Sequence, residues 1–242
     1  MNDATHDILT RTLASMTAGA LPWLVLTIAC YLAAVWLYKR SGQQPWLIPV
    51  FTAVPVIVCV LLLTGTPYAT YQQGTAWLSL LVGPATVALA LPLFAQRARI
   101  RRLWRPIAVS LVVGCVVALL SAMGIAWLFG ASMESMVSLA PKSATIPIAL
   151  PLADRFGGLP SLAAVAVAIT GIAGTILAPW LLRVLHCTDP AVEGFALGLT
   201  AHAIGTARSI QQHPTAGAFA ALAMGLNGVA TAVAMPLLMA ML

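Results

Sequence analysis

Seven stretches of this chain stay apolar for about 20 residues, at about 18–38, 45–64, 75–95, 106–130, 160–182, 190–207 and 215–241, and an eighth, irregular one covers about 135–155. An α-helix of about 20 apolar residues is as long as a bilayer's hydrocarbon core is thick. Composition agrees, because 61% hydrophobic and 7% charged residues leave too little polar surface to solvate a globular domain. The expected fold is therefore an all-α polytopic membrane protein with about 7–8 transmembrane segments, some broken or re-entrant, organised as a single transmembrane domain over 1–242. The opening MNDATHDILTRT carries Asp3 and Asp7 and no basic start, so the first apolar run is expected to stay as a span.

The net charge of +6 is concentrated in Lys39-Arg40 and in Arg97, Arg99, Arg101, Arg102 and Arg105. Short basic loops between apolar spans set membrane orientation, and no nucleic-acid partner is expected from them. Placing both runs in the cytoplasm sends span one inward, span two outward and span three inward, with the N-terminus outside. If 135–155 crosses fully, Arg155 and Arg208 fall inside, Arg11 and Arg183 outside, and eight crossings leave the C-terminus outside; a re-entrant 135–155 would flip every later orientation. Trp23, Trp36, Trp46 and Trp104 near segment ends suit interfacial anchoring. Cys30, Cys59, Cys115 and Cys187 are scattered without metal-ligand spacing and read as packing residues.

Pro84-Ala-Thr-Val-Ala-Leu-Ala-Leu-Pro-Leu93 is echoed by Ser143-Ala-Thr-Ile-Pro-Ile-Ala-Leu-Pro-Leu152, 59 residues later. The echo reads either as an internal structural repeat or as shared composition. Each copy begins at a helix-restart signal, Gly83-Pro84 for the first and Ala140-Pro141, just ahead of Ser143, for the second. Pro92, Pro147 and Pro151 then deprive the carbonyls of residues 88, 143 and 147 of their intrahelical partners. Interrupted hydrophobic segments in matching positions point to a transporter's binding site, with ordinary proline kinks as the plain alternative.

Polar side chains inside such segments require a reason, since an ionised one at mid-membrane costs about 2.5–3.5 kcal/mol on insertion scales. Lys142 follows Pro141 with Ser143 and Thr145 close by, a set whose ammonium, hydroxyls and free backbone N–H groups favour an anion. The alternative is that Lys142 snorkels or pairs with Glu134. In Glu193 to Arg208, a continuous helix would place Gly194, Gly198, His202 and Gly205 on one face. His202 reads as either a hydrogen-bonded structural residue or a proton carrier. Arg208 reads as a topology charge or a substrate contact, Thr206 as a path-lining hydroxyl, and Asn227 as an interhelical hydrogen bonder. The acids lie mainly at segment ends, which suits an anion path better than a cation site.

No phosphate loop, dinucleotide fingerprint, HExxH or clustered His/Cys set is present, so neither an enzyme, nor a cofactor, nor a metal is expected. The blocks LAPKSATIPIAL, GLTAHAIGTARSI, AFAALAMGLNGVATAVAMPLL and LLVGPATVALALPLF cover most of 75–242 and resemble the signature blocks of the LrgB/CidB family of bacterial membrane proteins, itself similar to the second half of the plastid glycolate/glycerate transporter. Where that family commonly has two threonines this chain has Thr145-Ile146. The resemblance implies a multi-pass protein of the bacterial inner membrane that works with a small LrgA/CidA-like membrane partner, a homo-oligomer being a further expected association. It implies either transport of small carboxylates such as pyruvate or glycolate, or a holin-like influence on murein hydrolase export and autolysis. The residue chemistry favours carboxylate transport, with the anion near Lys142, Ser143 and Thr145, facing Gly83 to Thr86, and His202, Thr206, Arg208 and Asn227 along the path.

Overall fold

A computed structural model describes residues 3–241, with side chains from Leu21 to Met241, so the side chains of Asp3, Asp7 and Arg11 lie outside it. The described chain is all α-helical, and six of its helices are long and apolar enough to cross a membrane: Leu21–Arg40, Pro45–Thr64, Ala76–Ala95, Trp104–Leu128, Pro160–Val184 and Pro214–Met239. The two segments missing from that set, 135–155 and 190–207, carry Lys142, Ser143, Thr145, His202 and Thr206, whereas Asn227 lies on the last spanning helix.

The chain divides into two compact units at Ala88. In the first, α1 (Asp3–Arg40) and α2 (Pro49–Thr64) form a hairpin, followed by α3 (Tyr68–Gly74) and α4 (Ala76–Ala88). Proline at the first turn of α2 needs no N–H partner there, and Gly65 closes the helix in the left-handed conformation. Tyr71 on α3 meets Trp23 edge-on and shares a 3.0 Å hydrogen bond with Thr27, fastening α3 to α1.

The second unit holds α5 (Ala90–Ala95), α6 (Arg97–Arg102), α7 (Trp104–Leu128), α8 (Met133–Leu139), α9 (Ile146–Arg155), α10 (Pro160–Val184), α11 (Pro190–Gln212) and α12 (Pro214–Met239). Cys115, Leu119 and Met123 of α7, Val137 and Ala140 from the α8 region and Met235 of α12 form one buried cluster. Ala191, Phe195, Leu199, Phe219 and Ala223 form another at the opposite end of the unit, where α11 and α12 begin.

The two echoing segments fold differently. Pro84 lies inside α4, so no helix restarts there, and the break in the first copy falls at Leu89, just ahead of Pro92. In the second copy the helix stops at Leu139 and resumes only at Ile146, with Thr145 as N-cap and Pro147 in the first turn. The expected restart at Ala140-Pro141 is thus a turn of several residues, and Lys142 and Ser143 belong to that turn instead of to a helix N-terminus.

Candidate functional site

At 7 and 10 residues, α8 and α9 are each too short to span a bilayer. The ends of their segment come together: Leu159 N–H donates to Ser138 Oγ at 2.7 Å, and that hydroxyl donates to Glu134 O. A chain whose position 138 touches position 159 has returned to the level at which it left. The segment therefore re-enters, with Lys142 to Thr145 at its tip.

The second reversal lies inside α11. His202 has φ 40° and ψ −125°, the backbone of the first central residue of a type II′ turn, which splits α11 into limbs 190–201 and 203–212. The limbs fold back on one another, since a Cβ at Gly205 would sit against the carbonyl of Leu197, eight residues earlier. The packing on α12 demands the same reversal. Gly194 lies against Ala216 and Gly198 against Ala220, so the first limb of α11 and α12 run the same way although a short turn at His213 joins them. At Gly194 and Gly198 any side chain would strike the α12 backbone, so only glycine permits this approach. The expectation of one helix face shared by Gly194, Gly198, His202 and Gly205 is corrected accordingly: the first two face α12, Gly205 faces the opposite limb, and His202 faces α10.

Because α10 crosses between them, the two re-entrant hairpins enter from opposite sides of the membrane. With Arg97 to Arg105 cytoplasmic, α8–α9 enters from outside and α11 from inside. Arg155 is then outside and Arg183 inside, the reverse of the assignment for a fully crossing 135–155. Six crossings leave the C-terminal helix ending outside.

Asn227 of α12, 1% exposed, joins the two tips. Its Nδ2 donates to Ser143 O at 2.9 Å and to Leu199 O at 3.1 Å. Ser143 O is one of the carbonyls expected to lack an intrahelical partner, and Leu199 O lies just ahead of the His202 reversal. Both amide protons are used, which fixes the orientation of the group, and Oδ1 stays buried with no hydrogen-bond partner among the described residues. His202 Nε2 donates to Val167 O at 2.9 Å, and its ring fills the space beside Gly171 on α10. Thr206 is buried and donates to His202 O. Arg208 is buried as well, with Nη1 donating to Thr175 O at 2.6 Å, so it ties the second limb to α10 and is not a charge at an exposed helix end.

Lys142 differs from all of these. It is half-buried, and among the described residues its ammonium has neither an ion pair nor a hydrogen bond; Glu134, its suggested partner, is exposed on α8. Ser143 is buried beside it, and the Thr145 hydroxyl makes no capping bond to its own helix. Gly83 and Thr86 sit in the other compact unit, on the exposed surface of α4, where the Thr86 hydroxyl bonds Val82 O of its own helix. The sequence reasoning missed the reversal at His202. Its signal was the weak apolarity of 190–212, where Glu193, His202, Arg208, Gln211 and Gln212 interrupt a stretch of spanning length.

These features define a polytopic α-helical membrane protein whose second unit contains a pair of opposed re-entrant hairpins, an arrangement that places irregular backbone at membrane depth only where protein surrounds it. The LrgB-like family profile matches residues 27–241, and the chain belongs to that family. It is 38% identical over 206 residues to YxaC of Bacillus subtilis, covering 85% of this chain and 89% of that protein. A Haemophilus influenzae protein is 32% identical over 211 residues (87% and 91%), and YwbG of Bacillus subtilis 31% over 216 residues (89% and 96%). No solved structure matches the chain.

Proposed function

We propose that this protein is a transporter or facilitator of small carboxylates in the bacterial inner membrane, acting without catalysis and together with an LrgA/CidA-like partner. The observation that carries the reading is Lys142: a half-buried cation, unpartnered among the described residues, at the tip of one re-entrant hairpin and next to the contact with a second. An ammonium so placed is short of an anion. A carboxylate supplies the charge, and the Ser143 and Thr145 hydroxyls supply donors for its oxygens.

Opposed hairpins suit alternating access, because either one can withdraw toward its own side of the membrane while the other keeps the path closed. Asn227 joins both tips when neither is withdrawn. His202, beside the second tip, is the group available to carry a proton with the anion.

The test is uptake of labelled pyruvate and glycolate into proteoliposomes, with and without an LrgA-like partner, comparing wild type with Lys142→Gln. Hydrogen bonds to charged groups contribute about 1.5–3 kcal/mol, so the variant is expected to raise KM roughly ten- to a hundredfold while remaining folded. Equal leakage of unrelated solutes through both proteins would overturn the carboxylate reading in favour of a holin-like pore.

A further inference from the structure

A groove runs along the second unit between α7 and the first limb of α11. It encloses about 290 Å³, and its walls include Leu103, Ile107, Phe195, Leu199 and Phe219, with Asp189 at one end. Asp189 caps the start of α11, and Leu199 stands at the hairpin tip. Ten helical residues separate them, which at about 1.5 Å per residue is roughly 15 Å, half of a hydrocarbon core about 30 Å thick. The groove is thus one leaflet long and apolar along its length.

Its Asp189 end holds one arginine in contact and has others next to its lining residues in the sequence. Arg99 Nη2 lies 2.8 Å from both Asp189 oxygens, and its guanidinium is 5.8 Å from the centre of the Phe219 ring, so the one acid of the groove is neutralised by an arginine held over a groove wall. Arg102 and Arg105 immediately precede the lining residues Leu103 and Pro106. Together with Arg97 and Arg101 they have no ion-pair partner among the described residues. A leaflet-long apolar trough ending in surplus guanidinium charge is complementary to an acyl chain that carries an anionic head.

We propose that this groove is a specific site for one anionic phospholipid of the arginine-bearing leaflet. One acyl chain lies against Ile107, Phe195 and Phe219, and the phosphate sits at Arg102 and Arg105. The site touches the limb of α11 that ends at the hairpin tip, so an occupied groove props that limb against α7. Attraction of anionic lipid by basic residues at a cytoplasmic membrane edge amounts to about 1 kcal/mol per residue, and the groove adds burial of the chain and selects one position for it.

The experiment is native mass spectrometry of the full chain in detergent holding equal amounts of phosphatidylglycerol and phosphatidylethanolamine. Wild type is expected to retain phosphatidylglycerol several-fold over phosphatidylethanolamine, and Arg102→Gln with Arg105→Gln to remove the preference. Val192 lines the groove yet is 51% exposed, so Val192→Trp fills the groove from its rim. Ala196→Phe fills it from a second position, and thermal unfolding without added lipid shows which filled variant is folded. Loss of bound phosphatidylglycerol in a folded, filled variant supports the site. Three results overturn it: equal retention of the two lipids by wild type, undiminished phosphatidylglycerol in a filled variant, or a filled variant that changes oligomeric mass, which would assign the groove to a second copy of the chain.

Discussion

The two hairpins reach the same point by different means. The tip of α8–α9 is a turn of several residues that contains Pro141 and is followed by Pro147, and it leaves the Lys142 ammonium without a protein partner among the described residues. The tip of α11 is a single residue in a strained conformation, fastened on several sides: His202 to Val167 O, Thr206 to His202 O, Arg208 to Thr175 O, and the limb before it to α12 through Gly194 and Gly198. A non-glycine backbone at positive φ costs about 1–3 kcal/mol and persists only where its surroundings over-determine it. The second hairpin is therefore the part whose side chains are consumed by structure, and the first is the part with a charge left over. Among the polar residues the sequence singled out, this separates those bonded to other parts of the chain from Lys142, whose ammonium has no such bond among the described residues.

The contrast breaks most visibly at the α11–α12 contact. Gly198→Leu drives a side chain into the Ala220 backbone and is expected to cost more than about 3 kcal/mol, read as loss of the monodisperse peak in size-exclusion chromatography. Gly225→Leu, on α12 but facing open space, serves as the control that keeps the peak. Asn227→Ala comes next. It leaves Ser143 O and Leu199 O unsatisfied at about 1–3 kcal/mol each, which thermal unfolding should register as a drop of several degrees; an unchanged midpoint would show that the tips are not joined there.

Backbone strain at His202 is isolated by comparing two variants that both lose the bond to Val167. His202→Gly is expected to be more stable than His202→Ala by about 1 kcal/mol, because glycine adopts the native φ without a Cβ penalty. The reverse order would mean that the reversal is not strained. The smallest effect on stability belongs to Lys142→Met, expected within about 0.5 kcal/mol of wild type, as for substitutions that break no named interaction. Destabilisation by more than about 1 kcal/mol would show that the ammonium has a structural partner after all, and the difference between the two tips would vanish.

Much of this architecture was legible beforehand. Each of the six crossing helices was among the segments that apolar length marked, because a helix in hydrocarbon satisfies its own backbone and needs only about 20 apolar residues to do so, but the same criterion also marked 190–207, which turns back at His202. Lys142, His202 and Asn227 were readable as exceptions, because a polar group in such a sequence has to be bonded or used. The prolines of the second echo marked a break correctly, though not its position, since proline removes a hydrogen bond without dictating where the chain resumes.

What the sequence determined by itself is thus local in origin: which segments partition into the membrane, where helices cannot continue, and which polar side chains need an account. Only the tertiary structure decided that 139–158 and 190–212 turn back instead of crossing. That choice rests on contacts between residues far apart in the chain, Ser138 with Leu159, Asn227 with Ser143 and Leu199, and Gly198 with Ala220. Each contact satisfies a backbone group or permits a close approach that hydropathy does not encode. The same non-local packing left the Arg208 guanidinium engaged with Thr175 and the Lys142 ammonium with no bond among the described residues, a distinction that the two polar motifs did not reveal in one dimension.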